Sequence, residues 1–344
     1  MCVLSGMRFV PFREGRSPKS METYVTWPSI IRATAFDVCR KTAFVQGVSA
    51  GQTVTFSMSR ETRSKDQLTG RLWVGGMWLG VGKGKGGGGC TVSALELAYA
   101  ATRRCTKQGR PRRVGYVELD PQGNATDVLE PVTRAVGIKD ALEMEGAPAG
   151  HEPLPLADVL VPTAWENILV APADRYLANR TVNISRNGIA ALRNARLSGE
   201  LDELVDDVVI DLPRDIGKLA ATGLLGIEHF YIAARATVWG AQGAEEVRYT
   251  AQRIAQKGNP ELKIAGIIVT EFDDSKDSKR VLGEMKQRFK EKLIEPPIPR
   301  RVRLREAMES YHTPCREYGG SDLEEVADRY QTIYDQLLKK VEGA

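Results

Sequence analysis

From Gly82 to Val92 the chain reads Gly-Lys-Gly-Lys-Gly-Gly-Gly-Gly-Cys-Thr-Val, a run suited to holding a phosphate. Glycines let successive backbone N–H groups converge on an anion, and a helix that starts just after them adds a favourable partial positive charge. Thr91 places a hydroxyl at the end of the run, the group a magnesium–nucleotide site needs beside the phosphates. Two carboxylates complete the set. Asp211 follows the apolar run Leu204–Ile210 and is expected on the metal side of such a site. Asp120 follows Arg113–Leu119 and could orient or deprotonate an attacking water. Blander readings remain open at this point. The glycines could be a flexible linker, and either aspartate could be a helix N-cap or a turn residue.

Elements must bring these groups together. Met77–Gly82 is a short apolar strand candidate before the glycines, and Val92–Thr106 carries Leu95, Leu97, Ala98 and Ala101 at the spacing of a buried helix. Further apolar strands are expected at His229–Ala234 and Lys263–Thr270, with helical segments between. Apolar runs alternating with helices predict an α/β fold with a doubly wound, mainly parallel sheet, whose ligands sit at the C-terminal strand ends. The glycine run, Asp120 and Asp211 all fall at such ends.

The 344 residues are enough for two or three domains, and 42% hydrophobic with 27% charged residues is ordinary for a globular chain. The longest apolar stretch, near Leu72–Val81, is interrupted by Gly75, Gly76 and Gly80, so no membrane span is expected. Five scattered cysteines without a CxxC pair argue against a disulfide scaffold or zinc site and favour a reducing cytoplasm. The net charge of +4 is uneven. Residues 1–76 hold 11 Lys and Arg against 5 Asp and Glu, and the rest is slightly acidic, with 37 against 39. Residues 1–76 lack sustained periodicity. They are expected to be a basic disordered extension, an over-long gene start with initiation at Met58 or Met77, or a small DNA-binding head. Residues 77–344 are expected to form the main domain.

Lys85–Thr91, then Val117–Asp127 (VELDPQGNATD), Val208–Pro213 (VVIDLP) and Ile298–Ala307 (IPRRVRLREA), resemble the ParA/Soj partition ATPases of the deviant Walker A superfamily, relatives of MinD. The resemblance covers about Met77 to Lys340, and DPQGNAT is its most specific part. It implies a P-loop domain that binds ATP and Mg2+, forms a nucleotide-dependent homodimer, associates with nonspecific DNA and answers to a ParB-type centromere-binding protein. It also implies residue roles. Lys85 would be the signature lysine that reaches phosphates across the dimer, and Asp120 the catalytic aspartate. Gly86, Gly87, Gly88, Gly89, Cys90, Thr91 and Val92 would cradle the nucleotide, with Thr91 and Asp211 on the metal.

Several positions depart from the family pattern. Cys90 stands where the family has the P-loop lysine, Val92 replaces its second threonine, and Glu118 replaces the first acid of its DxD pair. Losing a charge-assisted contact costs roughly 1.5–3 kcal/mol, about 10- to 150-fold in affinity, and more is expected in the transition state. Hydrolysis is therefore expected to be weak. Lys83 and Lys85 are near enough in sequence to compensate in part. The alternative is a non-hydrolysing scaffold or regulator that acts through protein or DNA partners.

Residues 276–305 hold 11 Lys and Arg against 4 Asp and Glu. Such a patch suits sequence-independent backbone contacts, with Lys279, Arg280, Arg300, Arg301 and Arg303 as candidates, although a solvated helix face would look similar. Leu323–Val341 has apolar residues at helical spacing and an acidic polar face, which favours packing on the domain over membrane anchoring.

Overall fold

The structure, a computed structural model, describes residues 76–84, 88–146, 152–180, 183–215 and 217–343. Expectations about residues 1–75 lie outside these, as do those about Lys85, Gly86 and Gly87.

Eight strands form one sheet: β1 Met77–Lys83, β2 Val114–Glu118, β3 Val161–Pro162, β4 Ile168–Ala171, β5 Asp207–Asp211, β6 His229–Arg235, β7 Lys263–Thr270 and β8 Leu293–Ile294. Their order is β3-β4-β2-β5-β1-β6-β7-β8. Every pairing is parallel except β3 with β4. The central strands are apolar on both sides because helices cover both faces.

The longer described helices are α1 Cys90–Thr102, α2 Asn124–Leu129, α3 Arg186–Ser198, α4 Lys218–Gly226, α5 Val238–Lys257, α6 Lys276–Phe289, α7 Val302–Glu309 and α8 Ser321–Glu342. Strand alternation sorts the core. Met77, Leu79 and Val81 of β1 pack with Val114 and Tyr116 of β2 against α1 and α8. Trp78, Val117, Val208 and Ile210 face the other way, toward α3, α4, α5 and α6.

Two expected boundaries shift. Helix α1 begins at Cys90, straight from the left-handed Gly89, and ends at Thr102 instead of Thr106. Strand β5 starts three residues late because Leu204 is still in a turn, its N–H donating to Leu201 O. In α8 the expected stripe is buried from Leu323 to Leu337, while Val341 is 41% exposed where the helix runs past the sheet. No described helix is long and apolar enough to cross a membrane.

Candidate nucleotide site

Register puts the central residues together. In the order β2-β5-β1, Glu118 pairs with Asp211 and Asp211 with Val81, and Lys83 lies two residues beyond Val81. The same alternation directs Lys83, Glu118 and Asp211 to the α1 face of the sheet at its C-terminal edge.

The loop enters α1 with little freedom. Gly89 has φ +63°, open to glycine at no steric cost. A Cβ on Gly88 would come within 3.1 Å of Ala233 O, and Gly88 O accepts from Thr270 Oγ1 at 2.8 Å. That anchorage at the β7 end argues against a free linker at Gly88 and Gly89. Helix α1 has no side-chain N-cap and no acid in its first turn. Its first amides therefore remain available to an anion.

Cys90, the first helical residue, turns inward. It is buried, with Sγ 3.2 Å from Val81 O and 3.2 Å from Asp211 Oδ1. Burial and the adjacent Asp211 carboxylate push the thiol well above its ordinary pKa, so it stays protonated and donates. The helix N-terminus does not make it a thiolate, because desolvation dominates. Thr91 and Val92 are partly exposed on the first turn. The Thr91 hydroxyl is near enough to Asp211 to favour the charged carboxylate.

Asp211 is fully buried, and its Oδ2 has no hydrogen-bond partner among the described residues. Burial raises its pKa to about 6, opposed by Thr91, Cys90 and Lys83. Asp120 is nearly buried. Its Oδ1 accepts from Gln122 N at 3.1 Å, and its charge reaches both Asp211 and Cys90.

Two further members were assigned no role from sequence. Glu118 accepts from Ala125 N at 2.9 Å, Thr126 N at 2.7 Å and Thr126 Oγ1 at 2.5 Å, and so caps α2 from the end of β2. Burial, then the neighbouring Asp211, raises its pKa to about 8. Tyr116, two residues earlier on the same face, has a buried hydroxyl with no partner among the described residues. Strand alternation was the signal that could have found both.

These groups fit a magnesium nucleotide. An uncapped helix start, a loop in which a Cβ at Gly88 would be tight, an adjacent hydroxyl and an orphan carboxylate oxygen are the features such a ligand would satisfy. Among the described residues no cluster of three His, Cys, Asp or Glu side chains could hold a metal ion. Beside the loop lies a cavity of about 510 Å³, lined by Gly84, Gly88, Ala233, Arg235, Thr237 and Trp239 among others.

Most of the basic candidates are engaged. Lys279 pairs with Asp274 at 2.9 Å, and Arg280 with Asp277 at 2.7 Å and Glu284 at 2.5 Å. Arg301 reaches Glu325 at 2.8 Å and Arg303 reaches Asp322 at 2.7 Å, tying the α7 start to α8. Arg300 is exposed and has no ion-pair partner among the described residues.

Residues 78–264 match the model of a family described as an AAA domain, more than half of the chain. The chain is 29% identical over 224 residues to the chromosome partitioning protein ParA of Myxococcus xanthus, covering 64% of this chain and 75% of that one. It is 29% identical over 261 residues to the chromosome-partitioning ATPase Soj of Thermus thermophilus, covering 76% and 94%. Among solved structures it resembles the cobyrinic acid a,c-diamide synthase of Mycobacterium smegmatis, crystallised with an ATP analogue and magnesium. That match has a TM-score of 0.61 at 26% identity and covers 78% of this chain and 96% of the other. The protein belongs to the AAA-domain family and, within it, to the ParA/Soj partitioning ATPases.

Proposed function

We propose that residues 77–344 form a ParA-type switch with a deviant Walker A loop, which binds ATP with Mg2+, closes into a nucleotide-dependent homodimer and rests on DNA without sequence preference. A ParB-type protein would act as its partner, and the protein would work in the cytoplasm on the nucleoid. The observation that supports this most is the uncapped start of α1 facing the orphan Oδ2 of Asp211, with Thr91 beside it. Thr91 and Asp211 would hold the magnesium side. The first amides of α1 and the loop glycines would hold phosphate, and Asp120 would orient or deprotonate water. Lys85 would reach the nucleotide of the partner subunit, as the family resemblance implies. The nucleotide supplies a phosphoanhydride bond whose hydrolysis would open the dimer.

Cys90 makes that hydrolysis slow. A neutral thiol turned toward Asp211 adds no positive charge for the developing phosphoryl charge. The same observation favours a second reading, a non-hydrolysing scaffold that keeps the nucleotide only to hold its shape. ATP·Mg binding by calorimetry and phosphate release, each with and without Cys90→Lys, separate the two. The switch reading expects measurable binding by the native chain and at least about tenfold faster turnover in the variant. Binding without any turnover in either form would favour the scaffold, and absence of binding in both would end the nucleotide reading.

A further inference from the structure

We propose that Lys83, the last residue of β1, supplies the phosphate-facing cation that Cys90 cannot, so that this site takes its positive charge from the strand instead of from the helix. The inference rests on the nucleotide reading above and deepens it.

Three observations of position carry it. First, Lys83 continues the row Met77, Leu79, Val81, all of which pack toward α1, so its side chain leaves the sheet on the face that carries the loop and Cys90. Second, it lies directly below the loop. A Cβ built on Gly88 would be 3.6 Å from Lys83 Cβ, and Lys83 is in register with Ala233, whose carbonyl borders the same glycine. Third, the Lys83 stem is buried, with the residue only 8% exposed, while its ammonium is not an enclosed atom and meets no carboxylate among the described residues. Its charge is felt by both Cys90 and Asp211.

A lysine with a buried stem and an ammonium that meets no carboxylate among the described residues is placed to answer an anionic ligand. The need for that cation is legible in the charges. Asp120 and Asp211 are both buried at the loop, and a polyphosphate arriving beside them needs a cation. Cys90 is turned inward as a neutral thiol, 3.2 Å from both Val81 O and Asp211 Oδ1. A lysine at position 90 would approach the phosphates from the helix, whereas one at position 83 approaches from beneath the loop. For binding of the ground-state nucleotide, as distinct from turnover, the two are alternative sources of one charge, which predicts that they are interchangeable and non-additive in affinity.

The test is calorimetric titration of ATP·Mg into the full chain, with thermal unfolding in the absence of nucleotide as a control. The forms compared are native, Lys83→Met, Lys83→Gln, Cys90→Lys and Lys83→Met with Cys90→Lys. Lys83→Met is expected to weaken binding about 10- to 100-fold, with Lys83→Gln close behind. Neither should lower the unfolding temperature without nucleotide, since each keeps most of the buried stem and breaks no ion pair among the described residues. Cys90→Lys should recover most of the lost affinity in the Lys83→Met background while adding much less to the native chain. Native-like affinity in both Lys83 variants overturns the proposal and leaves the nucleotide reading standing. So does equal gain from Cys90→Lys in the two backgrounds. A flat titration for the native chain overturns both, and that result is distinct from the others.

Discussion

Glu118 and Asp211 end adjacent strands with their carboxyls buried on one face, and both hold protons more tightly than in water, to about 8 and about 6. A raised carboxyl does not penalise folding while both states are protonated. The penalty grows from the unfolded value near 4.5 and is complete above the folded one, so stability without nucleotide should fall as pH rises from about 5 to 8. Other groups also titrate in that window, so the difference from an isosteric variant is the decisive quantity. Glu118→Gln keeps an acceptor for one of the Ala125 and Thr126 amides, a loss that does not vary with pH, and cannot ionise. Its unfolding temperature relative to native should rise by about 5 °C between pH 5 and pH 8. A constant difference would show that Glu118 ionises freely in the fold. Asp120 and Asp211 were legible as candidates because each follows an apolar run at the place a strand hands over to a loop, and Thr91 because it closes the glycine run. Tyr116 and Glu118 were not. Within VGYVE they read as ordinary strand residues until the register of β2 with β5 sets them beside Asp211. The direction of Cys90 was equally hidden, since sequence places it on the first turn without saying whether it looks out at phosphate or in at Asp211.

Helix α8 is fixed to the N-terminal edge of the sheet by a buried polar knot as well as by its apolar stripe. Asp207, the first residue of β5, accepts from Arg112 Nε at 2.7 Å and Nη2 at 2.8 Å, from Tyr334 Oη at 2.7 Å and from Met77 N at 3.3 Å. Tyr330 and Ser93 share a hydrogen bond of 2.9 Å that joins α8 to α1. Removing one partner of a buried pair leaves the other charge unpaired, which costs about 3–5 kcal/mol. Arg112→Ala should therefore lower urea stability by about that much, whereas Tyr334→Phe, which spares the ion pair, should cost about 1–2 kcal/mol. Similar losses for both would place the stability in the packing of α8. The stripe of α8 and five of the strands could be read from periodicity alone, because each is apolar over several residues. Strands β3, β4 and β8 could not, being two to four residues long, and only tertiary pairing makes them strands. The knot was invisible too, since Arg112, Asp207 and Tyr334 are far apart in the chain.

Charge is organised across the whole molecule so that the basic stretch 276–305 stands out from an otherwise acidic remainder of residues 77–344. Composition shows the stretch but not its pairing. Lys279, Arg280, Arg301 and Arg303 each meet a carboxylate in the fold, whereas Arg300 is exposed and meets none among the described residues. Exposed ion pairs contribute about 0–1 kcal/mol, so DNA phosphates can compete for the paired cations, but an unpaired one gives up nothing on binding. Arg300→Glu should then weaken binding of the ATP-loaded chain to random-sequence duplex about tenfold and make its salt dependence shallower, while leaving unfolding temperature unchanged. Arg303→Glu should weaken DNA binding less and lower the unfolding temperature, because it sets a second acid against Asp322 and parts α7 from α8. Titration of duplex at 50, 100 and 200 mM salt resolves the two effects. If neither change alters affinity or the salt slope, this patch is a solvated surface and any contact with DNA must lie elsewhere on the protein.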